Sequence, residues 1–419
     1  MTGSSAAQGG AAQGGGGARP AIDAASFLHV AITSPFVWPW VRRGSERLLH
    51  ELSRHLAGRG HRVTVFSTGP NDRVEDRDGI AYHLLRQRFG MRLRQFNCCH
   101  DFAFRLQHAL GRCDPDVVLS LNYFDAYAAI RARQRTGARY KVVFHSPGIL
   151  SRRHFRAVPL DAWLFRTVCR KANLTLAVSR LAGEVFKRDF GKNAVVLPPP
   201  VAIEQFSPTG AGAAPAPGPR IMFVGDADER RKGARALCRA FGLVRQRHPQ
   251  AQLLFAGHAG EATRQALIEE SLRAGTAGHV KFLGVGRVED LPALYRSASV
   301  TVLPSLGESF GMVLAESLAA GTPVVGARHG GIPELIDEDL VGRLFDPGDR
   351  VHEANNVRGL ADAIHDVLAR GKPPEVVAAC RARAQRYSWA VLGPEYERIL
   401  RRVVAAGDKS PLGPDPLQV

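Results

Sequence analysis

The 419-residue chain is long enough for two α/β domains of ordinary size, and its 45% apolar content can fill two cores. Its formal charge of +17 is uneven: residues 1–200 hold 30 Lys and Arg against 14 Asp and Glu, residues 201–419 hold 26 against 25. The basic half implies an anionic partner: nucleic acid, acidic lipid or a phosphorylated substrate. Six cysteines without a CxxC pair or metal-ligand spacing exclude a disulfide framework and a zinc module, and read as reduced thiols. No apolar run approaches the ~20 residues of a membrane span.

In chain order, residues 1–25 are rich in Gly and Ala and read as a flexible tail, not a signal peptide. The run 27–32 is a buried strand, followed by a Pro- and Gly-bearing loop and a helix over 45–57 with Leu48, Leu49, Leu52 and Leu56 on one face. A second strand at 62–67 completes a strand-helix-strand unit and implies a parallel sheet. Further strands are expected at 117–121, 141–145 and 174–178, closing a first domain at 26–200. Residues 201–219, dense in Pro, Gly and Ala, read as a linker. A second domain then runs over 220–387, with strands at 220–224, 252–256, 280–283, 300–304 and 322–327 alternating with helices. Ser388 can cap a last helix ending near residue 405, with residues 406–419 a second tail. Two doubly wound α/β domains of this kind face each other across a cleft at the carboxyl ends of their strands.

The chemistry should therefore sit in loops after strands. Glu308-Ser-Phe-Gly-Met-Val-Leu-Ala-Glu316 spans such a loop and the helix after it. A diphosphate between the two carboxylates would meet the helix N-terminus, and each carboxylate can accept bonds from sugar hydroxyls. After the strand at 220–224, Arg230, Arg231 and Lys232 could neutralise a diphosphate or form a solvated turn. Asp226-Ala-Asp228 could bind a metal, but it adjoins those cations, and no metal is expected. Gly44 opens the first helix where a phosphate could approach bare backbone; GxGxxG and P-loop patterns are both missing. His145 ends a strand and should face the cleft, unless it is structural. Residues 84–96 interleave Arg86, Arg88, Arg92 and Arg94 with apolar side chains, which suits a membrane-surface segment or a solvated basic face.

Taken together, these segments resemble the retaining family-4 glycosyltransferases of the GT-B fold, including phosphatidylinositol mannosyltransferase-like enzymes. The matching pieces are Glu308 to Glu316, Gly330-Gly-Ile-Pro-Glu334 and Asp290-Leu-Pro-Ala-Leu-Tyr295. The resemblance implies that Glu308, with backbone near Phe310 and Gly311, contacts the donor sugar, and that Met312 and Val313 lie by the diphosphate. It also implies that Glu316 holds the ribose, that Lys232 with Arg231 meets phosphate, that His145 stands by the reacting carbon, and that Val285 and Gly44 complete the donor site. The last helix would return to the first domain. Two departures stand out: Asp226 occupies the position of an expected arginine, and Arg43-Gly44 that of an expected Gly-Gly.

The implied reaction is metal-independent, retaining transfer from a UDP- or GDP-sugar to an acceptor hydroxyl, with no other cofactor. The basic half points to an anionic or lipid-linked acceptor, and to a cytoplasmic protein touching the inner membrane face. No nucleic acid is expected, because the cations are not interleaved with stacking aromatics. An epimerase of the same fold, or a basic binding protein with a vestigial donor site, stays open as an alternative.

Overall fold

The protein is described from a computed structural model, which covers residues 27–38, 41, 44–87, 97–208, 218–286, 288–348 and 354–406. The first domain runs β1 (His29–Thr33), α1 (Gly44–Gly58), β2 (Arg62–Gly69), β3 (Arg73–Arg77), β4 (Ile80–Arg86), α2 (Cys98–Leu110) and β5 (Val117–Ser120). It continues with α3 (Tyr123–Thr136), β6 (Lys141–Ser146), α4 (Pro159–Lys171), β7 (Leu174–Ala177), α5 (Arg180–Phe190) and β8 (Val195–Val196). Its eight strands take the order β3-β4-β2-β1-β5-β6-β7-β8, all parallel except β3. Val and Leu dominate β5 to β7 because helices cover both faces of a parallel sheet. The β3–β4 hairpin turns on Asp78-Gly79, both at positive φ (54° and 77°), the geometry that a two-residue hairpin demands.

The second domain runs β9 (Arg220–Val224), α6 (Ala234–Arg247), β10 (Gln252–Ala256), α7 (Glu261–Arg273), β11 (Val280–Gly284), α8 (Leu291–Ser297) and β12 (Val300–Leu303). It continues with α9 (Met312–Ala319), β13 (Val324–Ala327), β14 (Gly342–Phe345), α10 (Val357–Arg370), α11 (Pro374–Gln385) and α12 (Trp389–Ala405). The six strands are all parallel, in the order β11-β10-β9-β12-β13-β14. In each sheet the order reverses beside the first strand, β1 or β9. That reversal opens a crevice at the carboxyl ends, and the two crevices face each other.

The return helix forms as expected. Ser388 accepts the Val391 N–H at 3.3 Å as N-cap, and α12 then packs on α1 and β5 of the first domain. Trp389 donates to Glu51 at 2.7 Å, while Glu397 pairs with Arg59 and His61 at 3.2 Å each. Burial would raise the Glu397 pKa, but hydrogen bonds from Arg401, His61 and Arg59 outweigh it and lower it to about 2.

Three expectations need correction. Phe27 is not part of the first strand; it lies outside β1 and is 71% exposed. Residues 201–208 are not a bare linker, since Val201, Ile203 and Phe206 are buried and the Val201 N–H bonds to the Tyr387 carbonyl at 2.7 Å. The three apolar side chains tie both domains and α12 to one core; residues 209–217 lie outside the described residues. The basic segment 84–96 does not begin at the surface, and its residues 88–96 lie outside the described residues. Leu84 is buried in β4, where β2 and β3 flank it, and only Arg86 among its four arginines falls within the described residues. The cysteines are free thiols, and all but Cys113 are buried.

Candidate active site

The turns after β9, β10 and β11 are built for close approach. Gly257 sits at φ 131°, and a Cβ there would lie 2.1 Å from the Gly225 carbonyl oxygen, so one turn rests backbone on backbone against the next. These turns floor a cavity of about 710 Å³ between the domains. Its second wall is α9 with Met312, Val313 and Glu316, and its third comes from the first domain through Trp38, Val41, Gly44 and Arg47. A Cβ on Gly44 would stand 3.0 Å from the Met312 sulfur, so the start of α1 abuts the start of α9. Val285, 64% exposed, lines the rim.

Gly311, at φ 103°, opens α9 without a side-chain cap, which leaves the helix's first N–H groups and positive dipole end at the cavity. One turn further on, Glu316 is buried. Its Oε1 accepts from Arg47 Nη1 at 2.6 Å and its Oε2 from the Tyr295 hydroxyl at 2.8 Å. Burial pushes the Glu316 pKa up, and Arg47 and Tyr295 pull against that. Each oxygen keeps a lone pair for a further donor.

Glu308 and Lys232 meet in a different way from the one the sequence suggests. Lys232 ends a short 3₁₀ turn after β9, and its Nζ donates to Glu308 Oε2 at 2.6 Å. Arg231 Nη1 stands 3.7 Å from the same oxygen and is also paired with Glu229. The assigned sugar ligand and the assigned phosphate ligand are thus joined to each other. The loop carrying Glu308 is seated on Gly330-Gly331. Gly331 N–H donates to the Glu308 carbonyl at 2.9 Å, and a Cβ on Gly330 would come within 1.9 Å of that oxygen. Phe310 is buried edge-on against Tyr387. Arg231, Lys232, Glu308, Phe310 and Gly311 stand on loops adjoining the cavity, not on its wall.

The expectation that His145 faces the cleft does not hold. Its ring is completely buried, with Nε2 3.3 Å from both the Leu197 carbonyl and the Tyr396 hydroxyl. The returning α12 covers this side of β6, and burial takes the His145 pKa down to about 4. Arg43 lies outside the described residues.

Arg47 and Tyr396 escape sequence reasoning, because each acts through a partner more than 200 positions away. Tyr295 and Glu334 enter only as members of motifs; Tyr295 donates to Glu316, and Glu334 Oε1 accepts the Arg180 N–H at 2.7 Å, joining the second domain to the start of α5 in the first. Asp226, Asp228 and His258 gather at the cavity edge with ligand atoms within 4.8 Å of one another. Asp226 accepts the Asp228 N–H at 3.0 Å, and Asp228 accepts the Gly260 N–H at 2.9 Å. Among the described residues lining the cavity, Arg47 is the only Lys or Arg, against Asp226, Glu229, Asp290 and Glu316.

The sequence pattern described as "Glycosyltransferase Family 4" matches residues 42–205, and that described as "Glycosyl transferases group 1" matches 218–370. The chain belongs to the family-4 glycosyltransferases. Its two facing domains are the GT-B fold. It is 36% identical over 245 residues to the phosphatidyl-myo-inositol mannosyltransferase of Mycobacterium tuberculosis, covering 56% of this chain and 61% of that protein. It is 35% identical over 191 residues to the D-inositol 3-phosphate glycosyltransferase of Corynebacterium kroppenstedtii, covering 43% and 41%. The family-4 chain thus spans about three fifths or less of these curated relatives. Among solved structures, a sucrose-phosphate synthase from Thermosynechococcus elongatus shares the fold at TM-score 0.77 and 21% identity, covering 91% of this chain and 100% of that one. Anabaena HepE in complex with UDP and glucose does so at TM-score 0.70 and 20% identity, covering 89% and 99%.

Proposed function

We propose that this protein transfers a sugar from a nucleoside-diphosphate sugar to an acceptor hydroxyl, with retention at the reacting carbon. The observation that carries this reading is Glu316, a buried carboxylate that opens onto the interdomain cavity one turn from the uncapped start of α9. Glu316 takes the ribose hydroxyls, Met312 and Val313 present backbone to the diphosphate, and Val285 borders the base. As the sugar leaves, charge grows on the β-phosphate, where the α9 dipole and Lys232 stabilise it. Glu308 then positions the sugar. Attack on the face that the phosphate leaves, guided by that phosphate, is the route the family-4 resemblance implies.

The reaction in this reading needs no divalent metal. Support comes from Lys232 and the uncapped start of α9, which supply positive charge beside the cavity. Activity that EDTA abolishes and Mn²⁺ restores would overturn this part.

The acceptor is anionic, and lipid-linked in the version we favour. The names of both relatives carry a phosphorylated inositol, and the first 200 residues have a net charge of +16, from 30 cations and 14 anions. Phe104 on α2 and Leu160 and Trp163 on α4 are exposed on helices that pack on either side of α3. No helix among the described residues is long and apolar enough to cross a membrane. Calorimetry against a panel of nucleoside diphosphates and their sugars tests the donor. One diphosphate should bind, and its sugar should turn over; binding of none would remove the reading.

A further inference from the structure

Arg47 is placed on α1 of the first domain, yet its strongest contact is in the second. Its Nη1 reaches Glu316 at 2.6 Å, its Nε is fixed by Glu51 at 2.7 Å, and its guanidinium lies 5.4 Å from the Phe206 ring centroid. Only 12% of the side chain is exposed. Glu51 is held in turn by Trp389 of the return helix at 2.7 Å, so the guanidinium is set by elements from both ends of the chain. Hydrogen bonds at Arg47 Nε and Nη1 leave little freedom to rotate, and the carboxylate that Nη1 meets has one lone pair free on each oxygen. Two vicinal ribose hydroxyls match those two sites.

We propose that Arg47 is a positioning residue for the donor: it fixes the Glu316 carboxylate, charged and aimed, and so makes nucleotide binding depend on contact between the two domains. This deepens the proposed function and rests on it. Without Arg47, Glu316 keeps one neutral donor, Tyr295, in a buried setting that favours the protonated acid. A protonated Glu316 turns one of its acceptors into a donor and mismatches a diol. The charged and titratable groups around Glu316 are few. Arg47 and Glu51 face it from α1 and Tyr295 from α8. Arg296 on α8 points instead to the Ser207 carbonyl at 3.1 Å. Arg381 on α11 binds the Ala319 carbonyl at the far end of α9, at 3.0 Å. The strands behind α9, β12 and β13, carry no charged side chain.

The sign follows directly. Only the ionised carboxylate accepts both hydroxyls, so nucleotide affinity rises with pH through the Glu316 pKa and then levels off. Removing the Arg47 charge raises that pKa, so the plateau is reached at higher pH. Calorimetric titration of the full chain with UDP and GDP between pH 5 and 9 reads this midpoint. In Arg47→Met the midpoint should move up by roughly one unit or more. Affinity at pH 6 should fall roughly tenfold to hundredfold and recover in part at pH 9. Arg47→Lys should keep the wild-type midpoint with weaker binding, and Glu316→Gln should bind weakly and show only the inflection of the nucleotide's own terminal phosphate, at about pH 6. Arg47→Gln, which can keep one hydrogen bond without the charge, should behave like Arg47→Met and serves if that variant does not fold. A midpoint unchanged in both uncharged variants overturns the role of Arg47 and leaves the donor site standing. Wild type that binds no nucleoside diphosphate removes both.

Discussion

The two walls of the cleft are made in different ways. The second domain's wall is a set of strand-to-helix turns with backbone against backbone, Gly257 on Gly225 and Gly331 under Glu308, and its charged groups are carboxylates, with His258 beside them. The first domain's wall is a helix start at Gly44 and one arginine, Arg47. The first 200 residues nevertheless hold 30 Lys and Arg. Among the described residues Arg47 is the only Lys or Arg on that cavity, so the net charge of a domain says little about charge at its site. If the division is real, substitutions on the acidic wall should act on the nucleotide and the sugar. Substitutions among the outlying cations should act elsewhere.

The largest effect is expected at Gly330, which has φ 69° and would bring a Cβ within 1.9 Å of the Glu308 carbonyl oxygen. Gly330→Ala must displace the Glu308 loop, and a shift near 1 Å at a reacting centre costs about a hundredfold in turnover. Binding of the bare nucleoside diphosphate, which does not touch this loop, should change little. Loss of both together would show that the wall moves as one piece.

A smaller and more selective effect separates the two glutamates. Glu316→Ala should weaken nucleoside diphosphate binding by roughly 1–3 kcal/mol, since a ribose diol loses its acceptor. Glu308→Ala should spare that binding and lower turnover of the sugar donor, with Lys232 left unpaired. Equal loss of diphosphate affinity in the two variants would cancel the division of labour.

How much of this was legible follows from which interactions are local. The βα alternation of the second domain, the Ser388 cap and the helix after Gly311 all show in neighbouring residues, and all formed where expected. The β3–β4 hairpin carries its own signal in Asp78-Gly79, but β3 itself, Arg73-Val-Glu-Asp-Arg77, is mostly charged and alternates too weakly to read as a strand. Arg47 to Glu316 spans 269 positions and Tyr396 to His145 spans 251; no periodicity encodes either contact. Gly330 could be matched as a motif, yet its reason, a backbone approach to Glu308, is visible only in three dimensions. His145 is buried, and so takes the structural one of its two readings, for a related cause. A strand end opens onto the cleft in an isolated domain, and α12 fills that space only after the chain returns.

That burial gives a stability effect on the first domain's side. The His145 pKa falls from 6.5 to about 4 because the charged ring would be desolvated. A depressed histidine pKa means the unfolded chain binds the proton first. Its contribution is therefore intact above pH 6.5 and lost as pH falls toward 4, amounting to about 3 kcal/mol. His145→Gln should keep a polar group near Leu197 and Tyr396 while removing the titration. Urea unfolding at pH 7 and pH 4.5 should then show a smaller acid loss in the variant than in wild type. An equal loss would place the acid sensitivity elsewhere.

The smallest effect per residue belongs to the outlying cations, and it tests the other half of the comparison. An arginine near an anionic bilayer contributes about 1 kcal/mol, close to fivefold in partitioning, and does so only within a Debye length of the surface. Arg86, Arg88, Arg92 and Arg94 lie beside apolar residues in the sequence, whereas the arginines of the second domain are balanced by acids. Co-sedimentation with vesicles containing anionic lipid, at low salt, should therefore recover wild type and release it as salt rises. Replacing these four arginines with Ser should weaken vesicle binding more than replacing Arg235, Arg245, Arg247 and Arg358. Neither quadruple variant should shift nucleoside diphosphate affinity more than about twofold; Arg88, Arg92 and Arg94 lie outside the described residues, and the other five arginines do not line the cavity. Equal behaviour on vesicles would return the acceptor to solution and leave the charge split without a membrane role. A shift in nucleotide affinity confined to the first-domain variant would instead mean that its cations reach the cleft, and that the two walls are less separate than their geometry indicates.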